Sequence, residues 1–104
     1  LFDSLMVVCR PVLAQSKVSI LTYYTPSSTE WGGFDRNRVF CPNVFIDIEN
    51  YISVKLDALS VYKDELKEFP HPRSIENVEN VAKYFGSQVG LSFAEPFCLI
   101  RSIN

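Results

Sequence analysis

His71 is the only histidine of the chain, and it stands between Pro70 and Pro72 with Arg73 and Ser74 directly behind it. Each proline restricts the residue ahead of it to extended backbone, so the imidazole sits on a stiff segment. Near neutral pH an imidazole can donate to a hydroxyl or an anionic group. Arg73 adds a planar fork that matches carboxylate or phosphate. The plainer alternatives are local: His71 as part of a rigid turn joining two helices, and Arg73 in an ion pair with Glu76. A second constellation is Ser27-Ser28-Thr29-Glu30-Trp31. An indole plate beside hydroxyls and a carboxylate suits a sugar, which presents apolar C–H faces rimmed by hydroxyls. Its alternative is a polar turn anchored by one buried tryptophan. Arg36 and Arg38 can bind an anion or pair locally with Asp35, and Glu95 is a lone carboxylate ahead of Pro96. Cys9, Cys41 and Cys98 lie far apart in apolar surroundings, with no histidine or basic cluster beside them. They read as buried thiols of a reducing compartment, not as nucleophiles, disulfides or a zinc knuckle.

The bulk numbers bound the function classes. With 104 residues, 47% of them hydrophobic, the chain holds at most one domain. Ten basic and 12 acidic residues give a net charge of −2 with no run of like charges. Nothing in that balance points to nucleic acid or to an anionic membrane. No apolar run approaches the ~18 residues of a bilayer span, and no signal peptide is visible. The chain opens on Leu1 directly in an amphipathic pattern and reads as a piece of a longer protein.

The elements that must position these groups follow from periodicity. Phe2, Leu5, Met6 and Cys9 share a helical face over Leu1 to Cys9, and Pro11 limits its continuation. Lys17 to Tyr24 alternates Val18, Ile20, Thr22 and Tyr24 with Ser19, Leu21 and Tyr23, which predicts a strand covered on both faces. Thr25 to Asn43 breaks the pattern and is expected to be a long, ordered loop. Val44 to Asp47 predicts a strand, with Asp47 capping a helix from Ile48 to Glu68 whose Lys55 faces solvent. Pro70 and Pro72 stop that helix, and Ser74 caps another over Ile75 to Val89, with Ile75, Val78, Ala82, Phe85 and Val89 on its buried face. Gly86 and Gly90 either let a second backbone approach or, at Gly90, end the helix in the left-handed region. Phe97 to Ile103 predicts a last strand.

The run Glu68-Phe69-Pro70-His71-Pro72-Arg73-Ser74, the segment Gly86-Ser87-Gln88-Val89-Gly90 and Ala94-Glu95-Pro96-Phe97 together resemble the C-terminal third of LmbE-like (PIG-L type) N-acetylglucosaminyl deacetylases. The resemblance covers Leu1 to about Arg101. It implies an α/β fold: the C-terminal portion of a Rossmann-like α/β sandwich, with two or three helices packed on a short mixed sheet. Residues 1–104 are then a single partial domain with a long loop at 25–43. Members of that family are zinc-dependent amidases that remove acetyl groups from N-acetylated sugars; for this chain the expected location, from its thiols and the lack of a visible signal peptide, is cytoplasmic. Their metal motif resembles His-Pro-Asp-Asp with a later His-x-x-His-type pair, and neither occurs here. A hydrolytic zinc needs about three protein ligands and an open position for water, so no catalytic residue, no metal ligand and no zinc are expected in this chain alone. The resemblance leaves substrate binding to Glu30, Trp31, His71 and Arg73. The partners it implies are an N-acetylated sugar or sugar conjugate and the missing N-terminal part. The apolar strands add a homo-oligomer, with no nucleic acid and no membrane span. The alternative reading is a non-catalytic binding or assembly module with the same fold.

Overall fold

A computed structural model describes residues 1–11, 17–32 and 39–104. Its elements are α1 (Phe2–Val8), β1 (Ile20–Tyr23), α2 (Ser28–Trp31), β2 (Val44–Asp47), α3 (Ile52–Ser60), α4 (Ile75–Ser87) and β3 (Ala94–Arg101). Mixed helices and a three-stranded sheet of order β1-β3-β2 are consistent with a general α/β class. The sheet is not the mixed one expected: β1 and β2 each pair antiparallel with β3. The connection explains it. Between β2 and β3 the chain makes two helices, and an even number of passes returns it reversed, whereas a single crossover helix gives a parallel neighbour.

The centre of the structure is α4, whose local signals all agree. The Ser74 side chain accepts from the Asn77 N–H at 3.0 Å, closing the first turn, and Glu76 sits in that turn. Val78, Ala82 and Phe85 are buried along one stripe. Phe85 meets Tyr24 and Phe40 edge to face at 5.8 and 6.3 Å between centroids. Val78, Ala82 and Phe85 form the buried core with Ile20 and Ala94. Val89, expected on the same face, is 44% exposed because the helix stops two residues earlier. Gly86 is buried where a Cβ would lie 2.5 Å from the Leu91 carbonyl and 3.1 Å from Phe93 Cα. Gly90 has φ +75°, and the Leu91 N–H donates back to the Gly86 carbonyl. Because Ser74 is almost wholly buried, its replacement by alanine also leaves the Asn77 N–H unpaired. We expect Ser74→Ala to cost about 1 kcal/mol in chemical denaturation.

Four further expectations are corrected. α3 runs from Ile52 to Ser60 only. Asp47 does not cap it but accepts from the Glu49 N–H at 3.0 Å in a turn before it. Beyond Ser60, whose hydroxyl donates to the Asp57 carbonyl, Val61 and Tyr62 are 76% and 63% exposed, so the projected apolar face has no surface to continue on. β1 is covered on one face: Ile20 is buried while Leu21 and Tyr23 are exposed. α4 packs on β3 and β2, whereas α3 packs on α4 and, among the described residues, meets the sheet through the Lys55–Glu95 ion pair. The cysteines are not buried; Cys41 is exposed and Cys9 and Cys98 are half-buried. No helix among the described residues is long and apolar enough to cross a membrane.

Candidate functional site

Pro96 is buried in the central strand, an unusual place for a residue without an N–H. The ladder to β2 runs through Phe45–Pro96 to Asp47–Ala94. The ladder to β1 stops at Tyr23–Phe97, one position short of the proline. There β1 parts from the sheet, and the gap is a cleft of about 260 Å3. Val78 and Ala82 of α4 line it together with Ala94 and Pro96; Tyr23, Tyr24 and Pro26 come from β1 and its sequel, Leu59 from α3, and Pro72 from the turn before α4. The charged groups in it are Lys55 and Glu95, which form a 2.5 Å ion pair with both side chains about one-third exposed. Lys55 therefore does not simply face solvent, and the lone carboxylate of Glu95 has a cationic partner.

His71 is held in a turn between Glu68 and Ser74. Its N–H donates to the Glu68 carbonyl and its carbonyl accepts from the Ser74 N–H, each at 3.0 Å. Nδ1 accepts from the Arg73 N–H at 3.0 Å. A neutral ring accepting at Nδ1 carries its proton on Nε2, which makes that nitrogen a donor. The Trp31 indole stands edge-on to the imidazole, with centroids 5.1 Å apart and an 82° interplanar angle. Trp31 is 64% exposed, not the buried anchor of a turn. It ends α2, a one-turn helix where an irregular loop was expected, fastened by the Thr25 N–H donating to Thr29 Oγ1 at 2.9 Å. The cluster Thr25-Pro26-Ser27-Ser28 ahead of Glu30 is a helix-start signal that could have revealed α2.

The structure thus brings Trp31 and His71 together, 40 residues apart in sequence, and leaves Glu30 exposed on α2. Arg73 reaches Glu65 at 3.1 Å, in place of the Glu76 pairing considered from sequence. Trp31 does not line the cleft, but Pro26 and Pro72 do, and these lie close in sequence to Trp31 and His71. Arg36, Arg38 and Asp35 lie outside the described residues. Lys55, Tyr23, Tyr24 and Pro96 are the site residues sequence reasoning did not single out. Chemically, the arrangement offers aromatic edges and an imidazole donor beside an apolar slot with one ion pair. That suits holding a ring with both apolar and hydroxyl faces. Among the described residues, no group of three or more His, Cys, Asp or Glu is placed to hold a metal ion. No protein-family model, curated protein or solved structure matches this chain.

Proposed function

We propose that this chain is the C-terminal segment of a cytoplasmic, zinc-dependent N-deacetylase of LmbE-like kind, part of a Rossmann-like sandwich, and that it binds the N-acetylated sugar. The observation that carries this reading is the exposed Trp31 held edge-on to His71. The indole covers the C–H face of the ring, and His71 Nε2 donates to a hydroxyl. Arg73 and Glu30 flank them, with Arg73 oriented through Glu65. The residues here do not fit a hydrolytic zinc: the chain has one histidine, and its Nδ1 is already an acceptor for the Arg73 N–H. No hydrolytic step runs through this chain's own groups, and its part is recognition. A non-catalytic assembly module is the second reading, favoured by the apolar sheet face that α4 leaves uncovered.

Trp31 is the only tryptophan, so its fluorescence reports on the site directly. Titration with N-acetylglucosamine is expected to give a saturable change with a dissociation constant around 1 mM. His71→Ala should weaken it about tenfold through loss of one polar contact and the edge-on neighbour. A linear, non-saturating response, or binding indifferent to His71, defeats the recognition reading.

A further inference from the structure

We propose that two copies of this chain associate across a twofold axis, each laying its α1 on the open sheet face of the other. Residues paired across antiparallel strands share a face. Leu21 with Leu99, and Tyr23 with Phe97 and Val44, therefore lie together on the side away from Ile20, with Ile46 two residues beyond Val44. α4 covers the opposite side. Leu21, Tyr23 and Ile46 are 44%, 67% and 50% exposed, so the face is largely apolar among the described residues, with Glu95, paired opposite Ile46 and held by Lys55 of α3, as its charged edge.

α1 is the matching piece. It has seven residues, buries none of them, and packs against no other element among the described residues. Helices shorter than ~12–15 residues hold in water only when an apolar face is covered. Leu5 and Val8 are 41% and 82% exposed. The Arg101 side chain donates to the Cys9 carbonyl, tethering the C-terminal end of α1 near the end of β3. From that tether the helix stands clear of its own strands.

Area favours a second copy as the occupant. The chain exposes 7866 Å2, whereas a compact monomer of this length exposes about 5,900 Å2. The excess is more than twice the ~800 Å2 per partner that a stable interface needs. The radius of gyration is 15.8 Å against ~13 Å for a compact chain of this size, with a long axis of 47 Å. Helix and sheet face both lie on one chain, so a twofold exchange satisfies both surfaces at once.

The test is sedimentation of the whole chain and two variants over a dilution series, with circular dichroism to confirm folding. Val8→Lys and Leu21→Glu alter side chains exposed in the single chain, so the fold should survive both. Each alone should raise the dimer dissociation constant at least about tenfold. Mixed together they should recover a dimer, since Val8→Lys keeps an intact sheet face and Leu21→Glu an intact helix. Neither belongs to the Trp31–His71 pair, so dimerisation and sugar binding can fail separately. A wild-type monomer, an assembly larger than a dimer, a dimer untouched by either variant, or no recovery on mixing would each overturn the proposal.

Discussion

Phe85→Ala is expected to remove about 3–5 kcal/mol of stability, enough to leave a chain of this size marginally folded or unfolded. The size of the effect comes from how little else is buried. Among the described residues, Ile20, Val78, Ala82 and Ala94 are the buried aliphatic side chains of the core, and Phe85 is its one buried aromatic ring. Its ring is the hub at which Tyr24, Phe40 and Tyr84 meet, each within 6.3 Å between centroids. Truncation opens a void beside Tyr24 and Phe40, which come from two different segments and cannot both move inward. Urea unfolding should show a lower midpoint with an unchanged slope. Phe85→Leu, which keeps much of the volume, should recover more than half of the loss. A cost below about 1 kcal/mol for the alanine variant contradicts this account of the core.

Gly86→Ala is expected to be the second severe change, at about 2–3 kcal/mol or more. The added methyl meets main-chain atoms, the Leu91 carbonyl and Phe93, which cannot swing away as a side chain would. Relieving the clash means pushing the segment after α4 off the helix, and with it the start of β3. Gly90→Ala is the control. That position has open space around it but a positive φ, so the cost is backbone strain alone, about 1 kcal/mol. Thermal unfolding should therefore rank wild type, Gly90→Ala and Gly86→Ala in descending order. A reversed order would mean that the close approach at Gly86 is easily relaxed.

These residues were readable to different degrees for physical reasons. α4 announced itself because cap, stripe and terminating glycine are all local and agree. β2 did so because a short apolar run between Pro42, Asn43 and a turn has few other options. α3 was overextended because a 3.6-residue pattern records which residues could share a face, not whether a surface is there to receive them. The antiparallel order β1-β3-β2 depends on pairing between distant segments, which no local pattern encodes. The site shows the same divide. Trp31 and His71 were singled out by type, but their meeting was not, since it follows from the path of the chain between them. Lys55 and Glu95 are 40 residues apart, so a lysine read as facing solvent and a lone carboxylate gave no sign of being partners.

The strand that joins the sheet is the last of the three to be made. Ile20 pairs with Arg101 and Asp47 with Ala94, so both outer strands depend on β3 for every rung they form. During synthesis β1 and β2 emerge with no partner and must wait, with apolar side chains in water, while both longer helices are added. Loops this wide close slowly, because their entropy is lost before any contact rewards it. The sheet is thus committed to its shape only when β3 leaves the ribosome. Until then the helical pair α3–α4 is the part that can settle early, and any chaperone that protects the chain has β1 and β2 to hold.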